Sequence, residues 1–231
     1  MHGLDNDAMK NEMDLRPNYP ARVAQSLLNG EIDLGLIPVA EIPKLKEAHL
    51  VTDYCIGSTG PVASVCLFSD VPIEKIKRVL LDYHSRTSAM LITILLKYFW
   101  KKEVEFIRTV DEFTDQINYT TAGLLIGDRC LALRNKKQYC YDLGEAWKQF
   151  TGLPFVYAAW VSNKQLPDSF INQFNSACKN GVDHMEHVIA ATRFEHYDVR
   201  TYFEQNISYH FDQPKKQGLE KFLKLIAGLS K

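Results

Sequence analysis

The period of apolar positions changes along the chain, and each change marks an element. In YPARVAQSLLNGEIDLGLIPVAEI (19–42), Val23, Leu27 and Leu28 fall at helical spacing, Asn29-Gly30 stops the helix, and the run Leu34-Gly35-Leu36-Ile37 closes at Pro38. This predicts a helix, a tight turn and a buried strand. Further strands are predicted at VASVCLFS (62–69), KRVLLDY (77–83), EVEFIRT (103–109), AGLLIGD (122–128) and LPFVYAAWVS (153–162). AGLLIGD is short and apolar, as a strand covered on both faces should be. Helical stretches separate most of these runs, so an α/β class with mixed, mostly parallel sheets is predicted. From Pro167 onward the pattern is mainly helical with no further clear strand, and Leu219, Phe222, Leu223 and Ile226 share one face of a final amphipathic helix.

Strands in two groups, followed by a helical tail, imply that the chain leaves one lobe and later returns to it. The crossings are expected near SDVP (69–72) and FTGLP (150–154), which divides the chain into lobe one, 1–70 with 152–231, and lobe two, 71–151. Ligands in open α/β sheets sit beyond the carboxyl ends of strands, and a cleft between two lobes collects several such ends. The polar residues that follow strands are therefore the candidates: Pro38 and Val39, the turn holding Ser58 and Gly60, Ser85-Arg86-Thr87-Ser88, and Gly127-Asp128.

Composition narrows the reading. A net charge of -1 over 231 residues offers little to a phosphate backbone, so nucleic acid is not the expected partner. The longest apolar run, Ala89 to Leu96, is too short to span a bilayer, and the polar opening MHGLDNDAMKNEMDLRP does not read as a signal peptide. Five scattered cysteines without a C-x-x-C read as reduced thiols of a cytoplasmic protein.

The hydroxyl-rich knot at 85–88 stands where an apolar strand gives way to a long apolar helix. Unpaired N–H groups and the dipole at that end suit either a cap or a bound anion, and this segment alone fits both. Gly127-Asp128 also suits a plain turn, and Asp142-Leu-Gly-Glu145 suits a helix start as well as acid/base chemistry. His184 and His187 share a helical face, but two imidazoles without a third ligand point to solvated surface rather than metal. No nucleotide or hydrolase signature occurs.

GEIDLGLIPVAEI, GPVASVCLFSDVP, LLDYHSRTSAMLITILL, LLIGDRCL and YDLGEAWKQFTGLPFVYAAWVSNK together resemble the chorismate dehydratases of the futalosine route to menaquinone, in the family's order, from about residue 20 to 165. The resemblance implies a two-lobed periplasmic-binding-protein-like fold of type II with a hinge, working as a cytoplasmic enzyme without a cofactor. It implies loss of water from chorismate to give 3-[(1-carboxyvinyl)oxy]benzoate, with Ser85 to Ser88 gripping a substrate carboxylate and Thr87 and Ser88 foremost. The general base, and the oligomeric state, are not assigned. The enzymatic alternative is the cyclic dehypoxanthine futalosine-type synthase of the same pathway, and the non-enzymatic one is a binding module for an aromatic carboxylate. Family members begin with a strand and a Ser-Tyr-Leu-Asn turn that have no counterpart here. An internal start is therefore expected, with an incomplete first-lobe sheet beside Leu34–Ile37 whose gap is empty, filled by a neighbouring molecule or closed by rearrangement, a wall of the site absent and activity weak or lost.

Overall fold

Two sheets organise the chain, each built where an apolar run finds partners of its own length. The computed structural model describes residues 3, 4, 9, 11–82 and 85–229, so Tyr83, the end of one expected strand, lies outside the described residues. Helix α1 (Pro20–Leu28) begins with proline, whose missing N–H is not needed at that position. It ends at Asn29 and at Gly30, which takes a left-handed φ of 73°. The chain then enters β1 (Leu34–Pro38), a 3-10 turn (Val39–Lys44) and β2 (His49–Ser58). Strand β3 (Val65–Ser69) follows, then β4 (Arg78–Leu81), helix α2 (Thr87–Ile94), which runs into a π turn, β5 (Glu105–Arg108) and β6 (Thr121–Ile126). Next come α3 (Gly127–Leu133), β7 (Tyr139–Asp142), α4 (Leu143–Thr151) and β8 (Phe155–Ser162). The tail holds α5 (Asp168–Asp183), α6 (Met185–Ala191), α7 (Val199–Thr201), β9 (Ser208–His210) and α8 (Gln213–Leu229).

The first sheet has the order β1-β8-β2-β9 and the second β5-β4-β6-β3-β7. The fold is thus α/β with two mixed-topology lobes, but mostly parallel pairing is corrected. Among the described residues only β4 with β5 and β4 with β6 run parallel, and the remaining pairs are antiparallel. The cause is the connectivity. Strand β8 returns from the second lobe and inserts between β1 and β2, opposing both. A short link with one 3-10 turn, Ile73–Lys75, reverses the chain between β3 and β4 where a parallel crossover would need a helix.

Strand β3 pairs with β6 and β7, so the first crossing lies between Ser58 and Val65, before the expected 69–72. The second falls at Gly152–Pro154, just after α4 closes with left-handed Gly152. Strands β2, β7 and β9 were not foreseen, and β9 corrects the strandless reading of the tail. One apolar core runs through both lobes. Trp147 anchors it, with ring centroids 5.1 Å from Phe155 and 6.1 Å from Phe222 and its Nε1 donating to the Pro154 carbonyl at 3.1 Å. Leu219 and Phe222 of α8 are buried in that core, with Leu223 and Ile226 packed at its edge.

Strand β1 lies at the edge of its sheet, and a groove of about 880 Å³ runs beside it. Glu12 to Asn18 line the groove opposite Leu34 to Leu36. Among the described residues no strand pairs with the outer edge of β1.

Candidate active site

The site is built where the chain passes between lobes. Ser58 ends β2, and the crossing continues through Gly60 to Ala63, which holds a left-handed φ of 63° despite its side chain. What keeps it there is Asp142. Its Oδ1 accepts from Val62 N at 3.0 Å, Gly144 N at 3.0 Å and Glu145 N at 3.2 Å, and its Oδ2 accepts from Ala63 N at 2.8 Å. Asp142 is therefore both the cap of α4 and the clamp of the crossing, which realises the helix-start reading of Asp142-Leu-Gly-Glu145. Arg134 Nη1 adds an ion pair at 3.3 Å. From the tail, Tyr202 donates to Ser64 Oγ at 2.9 Å and Asn206 Nδ2 donates to the Pro61 carbonyl at 3.2 Å.

The hydroxyl knot meets the first sheet's side from the second lobe. Thr87 Oγ1 accepts from Ala40 N at 3.3 Å, just beyond Pro38 and Val39, and donates to the Tyr157 carbonyl at 3.0 Å. Both partners belong to the first sheet's side, so Thr87 is a clasp between lobes, and its hydroxyl is already occupied. Ser88 is buried beside it and Arg86 is exposed. Among the described residues no side chain caps α2 at its N-cap, Arg86.

Among the described residues three buried hydroxyls have no hydrogen-bond partner: Ser58 Oγ, Ser85 Oγ and Tyr157 OH. Each such orphan costs about 1–3 kcal/mol, so three around one seam call for an account. Two of them converge. A Cβ on Gly144 would lie 2.8 Å from Ser58 Oγ, 3.0 Å from Tyr157 OH and 2.5 Å from the Gly60 carbonyl. The absent side chain of Gly144 is what leaves them room. Burial, then the Asp142 carboxylate, pushes the Tyr157 phenol well above its ordinary value. Ser58 offsets a little of that rise without aligning as a hydrogen bond. Tyr157 is accordingly a neutral donor.

Of the sequence candidates, Ser58, Gly60, Ser85, Thr87 and Ser88 gather at the seam with Pro38 and Val39 behind Ala40. Gly127, with φ 63°, joins them indirectly through its N–H to the Ser64 carbonyl at 2.8 Å, whereas Asp128 is exposed at the start of α3. Tyr157 was missed because FVYAAWVS reads as uninterrupted core; its signal is a hydroxyl-tipped ring inside an otherwise apolar strand. Among the described residues no group of three or more His, Cys, Asp or Glu side chains could hold a metal, and no helix is long and apolar enough to cross a membrane. His184 Nδ1 instead contacts the Asn180 carbonyl at 2.9 Å.

Two α/β lobes joined by paired crossings, with polar groups at the seam, make a periplasmic-binding-protein-like fold. Solved structures agree on the fold. A protein of Archaeoglobus fulgidus superposes with a TM-score of 0.67 at 13% identity, covering 96% of this chain and 91% of that one. The periplasmic aliphatic sulphonate binding protein SsuA of Escherichia coli gives 0.54 at 14%, covering 93% and 76%. A family profile described as menaquinone biosynthesis matches residues 1–228, and the chain belongs to that family. Curated relatives named chorismate dehydratase include that of Thermus thermophilus, 26% identical over 90% of this chain and 84% of its own length. That of Campylobacter jejuni is 25% identical over 96% and 87%.

Proposed function

We propose that this chain is a chorismate dehydratase, a hydro-lyase that removes water from chorismate to give 3-[(1-carboxyvinyl)oxy]benzoate in the cytoplasm. The observation that carries the reading is the trio of orphaned hydroxyls at the lobe seam, in a chain aligned along most of its length with relatives of that name. Chorismate brings two carboxylates and a hydroxyl, and these are the groups that buried O–H donors lack.

The reaction removes the proton at the ring carbon bearing the enolpyruvyl ether, together with the neighbouring hydroxyl, and the ring becomes aromatic. Aromatisation supplies the driving force, leaving the protein to position, to exclude water and to assist departure of the hydroxyl. Ser85, at the turn into α2 and with Ser88 beside it, is assigned to a carboxylate. Ser58 and neutral Tyr157 are assigned to the second carboxylate or the leaving oxygen. Thr87 holds the lobes together around them. A substrate carboxylate held against the ring is the group best placed to take the proton.

Incubating the purified protein with chorismate and resolving the products by chromatography tests the reading. Appearance of the substituted benzoate, slowed at subsaturating chorismate by Ser58→Ala and Ser85→Ala, supports it. Chorismate that binds and persists would refute the dehydratase and favour a binding module.

A further inference from the structure

We infer that Arg129 is a positioning residue of the proposed dehydratase site: by compensating the buried Asp82 carboxylate it lets Ser85 receive a carboxylate of the substrate. Asp82 stands at the end of β4. The residue before it is pinned by Thr109, just past β5, whose N donates to the Leu81 carbonyl at 3.2 Å and whose Oγ1 donates to it at 2.8 Å. The Asp82 carbonyl in turn accepts from Ser85 N at 3.0 Å. Asp82 and Ser85 are therefore one main-chain bond apart, and what fixes the first fixes the second.

The Asp82 side chain has 0% exposure. A carboxylate so placed is stable only where charge and hydrogen bonds are brought to it. Arg129, the third residue of α3, brings both, its Nη2 donating to Asp82 Oδ2 at 2.6 Å. Ile126 N, at the end of β6, donates to the same oxygen at 3.4 Å. The other arm of the guanidinium, Nη1, donates to Oε1 of the exposed Glu112 at 2.9 Å. The planar fork thus reaches from the interior of the second lobe to its surface, a span that a point charge on a flexible stem does not reproduce.

Electrostatics gives this arrangement its consequence for binding. Ser85 carries one of the orphaned hydroxyls, and the dehydratase reading, on which this inference rests, assigns it to a carboxylate. A buried anion one bond away repels such a ligand unless a cation lies against it, because solvent and salt screen little there. Arg129 acts on the ligand through Asp82, in two ways. It cancels the carboxylate's charge, and it holds the end of β4 so that Ser85 keeps its place.

The test compares steady-state formation of the substituted benzoate by the wild type, Arg129→Met, Arg129→Lys, the double variant Arg129→Met with Asp82→Asn, and Glu112→Gln. Arg129→Met strands the Asp82 charge, so KM should rise at least about tenfold while kcat stays within about threefold. Adding Asp82→Asn removes the stranded charge and should return KM to within about threefold of the wild type, a rescue that general damage to the fold would not show. Arg129→Lys keeps the charge without the fork and should fall between. Glu112→Gln alters an exposed contact alone and should move KM less than about twofold. In parallel, amide hydrogen exchange at Ser85 and Ile126 should quicken at least about tenfold in Arg129→Met and recover in the double variant, with Ala159 and Val161 of β8 unchanged. An unchanged KM, a loss confined to kcat, or a double variant as impaired as the single one would overturn the inference. If Arg129→Met does not fold, the double variant decides: KM within about threefold of the wild type supports the inference, and a rise of about tenfold overturns it. A wild type that leaves chorismate intact would refute the dehydratase reading by itself, and exchange at Ser85 and Ile126 would then decide whether Arg129 positions Ser85.

Discussion

Replacing Asp142 should cost more than its small size implies, because one carboxylate serves two elements. In Asp142→Ala, Gly144 N and Glu145 N lose their cap, worth about 0.5–2 kcal/mol. Val62 N and Ala63 N lose acceptors at 3.0 and 2.8 Å in a buried setting, at about 1–3 kcal/mol each before relaxation. Partial water entry and loop movement recover some of this, so a net loss of about 4 kcal/mol is expected, a large fraction of a typical folding stability. Asp142→Asn keeps Oδ1 and its three N–H donors but turns an NH2 toward Ala63 N and Arg134, so about 2 kcal/mol is expected. Urea unfolding followed by far-ultraviolet circular dichroism measures both, with unchanged slope against denaturant as the control. If the Ala variant loses under 1 kcal/mol, or Asn and Ala lose the same amount, the clamp described at Val62 and Ala63 does not exist.

Thr87→Val removes both lobe-bridging bonds while keeping shape, and should cost about 2 kcal/mol, against under about 1 kcal/mol for Thr87→Ser, in the same unfolding assay. Ser58→Ala and Ser85→Ala delete orphaned hydroxyls, so stability should hold or rise slightly while calorimetry shows chorismate affinity falling roughly tenfold. Unchanged affinity would detach these serines from the site. Gly144→Ala would force a methyl against the Gly60 carbonyl at 2.5 Å and should cost about 1–3 kcal/mol, visible as a lowered melting temperature. Burial pushes the Cys55 thiol from 9.0 up to about 12, a raised folded value whose stabilisation is full below pH 9 and lost between 9 and 12 as the unfolded thiol ionises. Melting temperatures of the wild type and Cys55→Ala across that range should converge as pH rises.

How far the sequence discloses this molecule depends on whether a signal is local. Strands β1, β3, β4, β6 and β8 are legible because their apolar runs are short and bounded by breakers. Strand β2 is not, since Thr52, Asp53 and the register shifts after Leu50 and Ile56 destroy any period of two. Strands β7 and β9 have four and three residues, too few for a period. Strand direction was misjudged because it belongs to pairings between distant segments, and nothing within FVYAAWVS says that it will lie between β1 and β2. The same holds at the site. The hydroxyl knot is visible in Ser85 to Ser88, but which hydroxyl is occupied and which is free depends on Ala40 and Tyr157, which are 47 and 70 residues away from Thr87.

That division of labour among the hydroxyls follows from partner geometry. A hydroxyl that meets both a buried N–H and a buried C=O is satisfied, and a ligand gains little by displacing them; this is Thr87. A hydroxyl buried without a partner has already been desolvated by folding, so a ligand oxygen arriving there forms a hydrogen bond without first stripping water from the protein. Ser58, Ser85 and Tyr157 are in that condition, and Tyr157 is kept neutral by burial and the Asp142 carboxylate. Their polar demand is fixed in place by rigid neighbours: β8 for Tyr157, the end of β2 for Ser58, and the turn into α2 for Ser85. The Asp142 clamp then ties the crossing to α4, so the walls carrying Ser58 and Gly144 move as one piece. On the proposed dehydratase reading, donors that are dry, neutral and held from both lobes are what an anionic ring losing a hydroxyl requires, and binding such a ligand would offset their cost to the fold.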